Sequence, residues 1–322
     1  MRNSRLAPGT IVGVAVLLAA IGVLPFVLPE HWIDVFIFLF LNVIVVVSFR
    51  LVAITGEFTM AHAVLTGCGG YASALLSKEL GVTPWLSVPI GAVVAAAIAY
   101  VLSFPLFRMK GFYFLIASFA GGEAIRLSWE RFRDPFGGYR GLKRIPDLEV
   151  GFPGLDFGKP LPFYFLALAI GLICLVVMYR IEHSRFGLNF HAVHYKDSLA
   201  ESIGLSTRRY RTIAFVTASF FTGLSGALLA HYLGSVNPNL FGLGQMLHIL
   251  VWSIVGGLGT FAGPIIGVAL LSVLDESFRA FDQFRPAIYG IILILTMLFL
   301  PTGLESLPEK LKPYLARLFG PR

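Results

Sequence analysis

Apolar residues in this chain come in ten long runs, and that pattern constrains the fold more than any other feature of the sequence. The runs cover residues 10–28, 34–54, 58–77, 84–107, 111–127, 161–180, 211–233, 243–258, 261–279 and 285–301. A hydrocarbon core ~30 Å thick is crossed by about 20 apolar residues of α-helix, and most of the runs approach that length. Inside lipid every backbone polar group needs an internal partner, so only helices and closed barrels are viable. The short alternating strands of a barrel are missing here. The expectation is an all-α, polytopic membrane protein with about eight to ten transmembrane helices. The runs at 58–77, 111–127 and 243–258 are short or Gly-rich and read as broken or partly inserted helices. Charged residues make up 13% of the chain, against about 25% in soluble domains, which excludes an ordinary cytosolic enzyme. The 34 glycines suit spans that pack closely on one another.

The net charge of +7 reads as cytoplasmic-side Lys and Arg in a membrane protein, not as nucleic-acid binding. Arg2 and Arg5 before the first run resemble a signal peptide, but no small-x-small cleavage pattern follows, so the run reads as a retained span. With the N-terminus inside and ten crossings, 15 of the 25 Lys and Arg residues fall on the inner side. The expected topology has both termini cytoplasmic and the lipid bilayer around residues 1–305. A periplasmic loop spans 128–160, a cytoplasmic loop spans 182–210, and residues 306–322 form a cytoplasmic tail. The first loop is charged and turn-rich, with Gly137-Gly138 and Pro135, Pro146, Pro153 and Pro160. The second carries a capping-box pattern, Ser198-Leu199-Ala200-Glu201, followed by Gly204 as a helix stop. Ala192, Tyr195, Leu199 and Ile203 give it a partial apolar stripe. It reads either as one or two short helices at the cytoplasmic surface or as a solvated connector.

There is no G-x-x-x-x-G-K-[ST] phosphate loop in the sequence. Gly257-Leu258-Gly259-Thr260-Phe261-Ala262 matches a dinucleotide pattern, but it sits between two apolar helices with no preceding strand, so it reads as a tight turn before close packing. Gly259, Gly263 and Gly267 extend it as a smooth stripe. Cys68 and Cys174 lie inside apolar runs, and the histidines are dispersed, so neither a disulfide framework nor a metal site is expected. Polar groups at membrane depth are the most informative residues, because each costs ~2.5–3.5 kcal/mol at mid-bilayer unless solvated or paired. Thr55, Gly56, Glu57, Thr59 and His62 cluster between two runs. They read as a broken helix facing a polar cavity or as a satisfied turn at the interface. Ile54-Thr55-Gly56-Glu57 is echoed by Ile254-Val255-Gly256-Gly257. Matched Gly-interrupted segments point to a midplane site in transporters, which makes Thr55, Gly56, Glu57, Thr59, His62, Gly256, Gly257 and Gly259 the candidate translocation path. Glu123 and Arg126 are spaced to pair on one helix face. Asn42, Asn237, Gln245, His248 and Asp275 read as interhelical hydrogen-bonding groups.

Several motifs resemble a known family. Gly56-Glu57-Phe58-Thr59-Met60-Ala61-His62 is followed by Gly69-Gly70-Tyr71. Then come Arg108-Met109-Lys110-Gly111-Phe112-Tyr113-Phe114, Phe136-Gly137-Gly138-Tyr139-Arg140-Gly141, the run from Ala214-Phe215 through Leu228, Gly256-Gly257-Leu258-Gly259 through Gly263-Pro264 and Gly267, and Pro301-x-Gly303-Leu304. In this order and at comparable spacing they resemble the M-type permease subunits of branched-chain amino acid ABC importers, from about residue 40 to 305. The chain departs from the family at Glu57 and Met60-Ala61, at Arg140, and in Gly187–Tyr195, which lacks two family arginines. These changes leave the solute open among hydrophobic amino acids, urea, short amides and small aromatic acids. The resemblance implies a transport subunit of the bacterial inner membrane rather than an enzyme, with no cofactor of its own. It would work with a second permease of the same fold, two ATPase subunits that bind ATP and Mg, and a periplasmic solute-binding protein. Asn189, His191, His194, Lys196, Ser198, Leu199, Glu201 and Gly204 would then couple to the ATPases, and Arg131, Arg133, Gly137, Gly138 and Arg140 would receive the binding protein. Two other readings stay open: a stand-alone transporter driven by protons or sodium through Glu57, Glu123 and Asp275, and a membrane-embedded enzyme.

Overall fold

The computed structural model describes residues 21–27, 29–148, 157–278, 285–300 and 302–306. It is a polytopic all-α fold. The helices are α1 (Glu30–Ala53), α2 (His62–Glu79), α3 (Pro84–Leu106), α4 (Phe112–Arg131), α5 (Pro160–Glu182), the short α6 (Arg185–Tyr195) and α7 (Asp197–Ser202), then α8 (Thr207–Leu233), α9 (Leu243–Gly256), α10 (Ala262–Ser277) and α11 (Arg285–Phe299). Among the described residues, five helical stretches are long and apolar enough to cross a membrane: α1, α3, α5, α8, and Pro238–Gly256, which joins a 3-10 turn to α9. α10 and α11, with 16 and 15 residues, are shorter.

Each apolar run from 34–54 onward becomes one of these helices, displaced by a few residues at its ends. The first run lies outside the described residues except for 21–27, and so does the tail beyond Ser306. α4 is continuous, and so is α2 once it starts, four residues into the 58–77 run. The break comes before α2, at residues 54–61, where Gly56 takes φ +87° and ends α1. The glycines of α2 have another use. A Cβ on Gly69 would run into the Gly223 carbonyl, and one on Gly226 would run into the Thr66 carbonyl. The backbones of α2 and α8 therefore touch, which is how small residues drive helix association in lipid. α8 packs on α1, α2 and α3 and forms the centre of the bundle.

Two polar ends result. At one, residues 54–61 and 107–111, the α6–α7 loop, the turn after α9 and residues 302–306 gather. At the other, β1 (Leu142–Lys143) pairs antiparallel with β2 (Ser235–Val236). Ile145 N also donates to Gly234 O there, at 3.0 Å. In the α6–α7 loop the Ser184 hydroxyl caps α6 by accepting from Phe186 N. The capping box does not form. α7 starts at Asp197, so Ser198 is already inside it, and Glu201 instead accepts from Thr207 Oγ1 at 2.9 Å. Gly204, at φ +85°, closes α7 as the sequence predicts.

Candidate functional site

Arg50 stands on the last turn of an apolar helix and is 1% exposed. A buried cation is tolerable only if its donors are satisfied. Here Nη1 donates to Glu182 Oε2 at the end of α5, Nε to Leu258 O at 3.0 Å and Nη2 to Gly259 O at 3.2 Å. The same turn is held from its other side. Glu305 accepts from Gly259 N at 2.9 Å, from Thr260 N at 2.7 Å and from Thr260 Oγ1 at 2.6 Å. The free N–H groups that a Gly-rich turn presents to an anion are thus taken by a carboxylate of this chain. Gly256 closes against Gly263 and Gly267, so the small-residue contact joins α9 to α10. Gly256, Gly257 and Gly259 are brought together around Arg50 and Glu305.

The other half of the candidate path lies at the same end, in a separate ion cluster. Glu57 is 2% exposed and pairs with Arg211 Nη2 at 3.3 Å. Arg211, at the base of α8, also donates to Asp197 at 3.0 and 3.2 Å, and Lys110 Nζ reaches Asp197 at 2.7 Å. Burial pushes the Glu57 carboxyl above its ordinary value, against the pull of Arg211. Burial pushes Asp197 in the same direction, but the hydrogen bond from Lys110 and the charge of Arg211 outweigh it and leave the carboxyl below its ordinary value. Gly56 lies against His194, which would meet an added Cβ at 3.2 Å. Thr55, Thr59 and His62 are buried: Thr55 Oγ1 donates to Val52 O, Thr59 Oγ1 accepts from Ala61 N, and His62 meets Ser48 Oγ and Val45 O.

The loop residues divide by exposure. Asn189 and His191 are half-buried, while His194, Lys196, Ser198, Leu199, Glu201 and Gly204 are exposed. Tyr195, Leu199 and Ile203 present large apolar side chains to the outside, each more than 60% exposed. α7 thus has an ionic face, through Asp197, held by the bundle and an exposed apolar face.

At the opposite end Arg131, Arg133 and Arg140 are exposed and Gly138 is buried. Arg133, Gly137 and Arg140 line an open groove of about 670 Å³ together with Lys78, Lys143 and Arg144, and no acidic residue lines it. Arg131 is outside this set. The three further cations were not visible as a group in the sequence, because Lys78 comes from α2 and the groove forms only when residues 137–144 fold against that helix end. Arg126 pairs with Glu123 at 2.9 Å and with Glu130 at 3.0 Å.

A cavity of about 270 Å³ lies between α1, α2, α8 and the Pro238–Gly256 stretch. Its walls are apolar apart from Asn42, Thr66, Ser225 and Gln245, and no charged side chain lines it. Gln245 Nε2 donates to Asn42 Oδ1 at 3.3 Å, so these two residues do join helices, and they also face the cavity. Among the described residues no group of three or more His, Cys, Asp or Glu side chains is placed to hold a metal ion.

Comparison with known proteins gives a consistent set of likenesses. Residues 32–301 match the family described as branched-chain amino acid transport system / permease component. The chain is 26% identical over 302 residues to the high-affinity branched-chain amino acid transport system permease protein LivM of Escherichia coli K12, spanning 87% of this chain and 71% of that protein. Its identity to LivM of Salmonella typhimurium is 25% over the same shares. To LivH of Salmonella typhimurium it is 27% over 140 residues, spanning 43% of this chain and 45% of that protein. No solved structure matches.

Proposed function

The chain belongs to the branched-chain amino acid transport permease family, and from that premise we propose that it is the M-type gate of an inner-membrane ABC importer for branched-chain or other hydrophobic amino acids, or related small solutes. A periplasmic binding protein delivers the solute, a second permease of the same fold completes the pore, and two ATPase subunits on the cytoplasmic side supply the energy from ATP and Mg. Both termini face the cytoplasm in this reading, which puts the α6–α7 loop beside the ATPases.

The observation that carries the reading is the two-faced α7. Leu199 and Ile203 offer it an apolar face for a partner groove, while Asp197 fastens its other side to Lys110 before α4 and to Arg211 at the base of α8. A push on α7 therefore reaches α4 and α8 directly, and reaches the connector before α2 through Arg211 and Glu57. At the far end the five cations around Arg133 and Arg140 suit an acidic face on the binding protein, fixing its register more than its affinity. The rival reading, an ion-driven carrier, would have to work through Glu57 and Glu123, each of which pairs with an arginine.

The test is reconstitution in proteoliposomes with the second permease, the ATPases and the binding protein. Uptake should require ATP and all partners. Uptake by this chain alone on a proton or sodium gradient overturns the proposal.

A further inference from the structure

The cavity between α1, α2, α8 and α9 opens at a rim where Phe38, Leu233 and Leu240 are exposed, and Asn42 and Gln245 on its wall are half-buried. Asn42 is 12 residues into the 24-residue α1, about 18 Å from either helix end, which puts it near the middle of a bilayer. At that depth a carboxamide is costly unless it is paired. The Gln245–Asn42 hydrogen bond pairs it, but only in part. Each carboxamide has two donors and one acceptor oxygen. The single bond between them uses a donor of Gln245 and the oxygen of Asn42. Among the described residues, Asn42 Nδ2 and Gln245 Oε1 take no protein partner. Both N–H donors of Asn42, and one N–H and the oxygen of Gln245, thus stay uncommitted side by side in a chamber whose other walls include Phe38, Leu229 and Phe241.

That pairing matches one ligand chemistry closely. A zwitterionic amino acid carries a carboxylate, which needs a donor, and an ammonium, which needs an acceptor, and its net charge is zero. An apolar side chain then fills the greasy wall. The volume of about 270 Å³ is near the lower end of small-ligand pockets, about 300 Å³. No lining charge is present to neutralise a charged side chain, so acidic and basic amino acids meet an uncompensated desolvation penalty. We propose that this cavity is a transit site for zwitterionic amino acids with apolar side chains, with Asn42 Nδ2 donating to the carboxylate and Gln245 Oε1 accepting from the ammonium. This rests on the importer reading above and assigns that importer a selectivity site of its own inside the membrane.

The test uses the assembled transporter in proteoliposomes, with Cys68→Ala and Cys174→Ala removing the native thiols and Leu229→Cys placing one on the cavity wall. Alkylation of that thiol by a small methanethiosulfonate reagent should slow at least threefold in millimolar leucine, and not in glutamate or lysine. Adding Asn42→Leu or Gln245→Leu should abolish the protection. In the same vesicles those two variants should transport leucine at least tenfold less per ATP hydrolysed. Labelling that leucine does not slow, or that all three amino acids slow alike, overturns the site, and so does undiminished leucine uptake in both variants. Failure of the importer reading shows elsewhere, as uptake by the unaltered permease without ATP.

Discussion

Arg50 shows how much one residue can bind together. Its guanidinium joins the ends of α1 and α5 to the turn after α9, and Glu182 is its carboxylate partner. Removing one member of a buried pair strands the other charge, which costs about 3–5 kcal/mol. Arg50→Met should therefore lower the thermal unfolding midpoint in detergent sharply, and the double change Arg50→Met with Glu182→Met should recover most of the loss. Equal loss in the single and double variants refutes the pairing. Asp197 gives a pH signature. Burial raises its carboxyl, but Lys110 and Arg211 draw it below the ordinary 3.8. A lowered folded value means that its stabilising contribution is complete above the ordinary value and is lost as pH falls through the lowered one. Midpoints measured from pH 5 downward should drop more steeply for the unaltered protein than for Asp197→Asn in that acidic window. The sequence exposed Glu57 because it is a charge beside a Gly-marked break. It gave Arg50 no such prominence, because Glu182 lies 132 positions away and no local pattern links them.

At the scale of elements, helix spans were legible because lipid demands a minimum apolar length, and that length is written directly in the sequence. The start of α7 was less so: the Ser198–Glu201 spacing satisfies a capping rule, yet tertiary ties to Asp197 begin the helix two residues earlier and turn Glu201 toward Thr207. The exposed face of α7 has little to do with the stability of this chain. Leu199→Glu with Ile203→Glu should leave the unfolding midpoint nearly unchanged, within about 0.5 kcal/mol, while ATP-driven uptake disappears. Uptake that survives removes α7 from the proposed ATPase contact. The contact of α2 with α8 is the opposite case. Gly226→Val drives a side chain into the Thr66 carbonyl, and overpacking of this kind costs about 1–3 kcal/mol. Detergent-solubilised protein should lose its folded fraction on mild heating.

Across the whole molecule, charge is sorted to the two ends. One end holds mixed-sign networks that tie helices together, and the other holds a groove lined by cations. Arg133→Glu with Lys143→Glu should cut the ATP hydrolysis stimulated by the binding protein and flatten its dependence on salt, leaving basal hydrolysis intact. Unchanged stimulation removes the groove from the docking surface. The sorting itself followed from counting Lys and Arg along the runs. The groove did not, because its members meet only after folding. The long separation of Arg50 from its partner carries one last consequence, for the order in which the protein is made. A ribosome adding about 5–20 residues per second needs roughly 7–26 s to travel the 132 positions from Arg50 to Glu182. Through that interval the nascent α1 holds a guanidinium without its counter-ion, and this end of the bundle closes only once α5 has emerged.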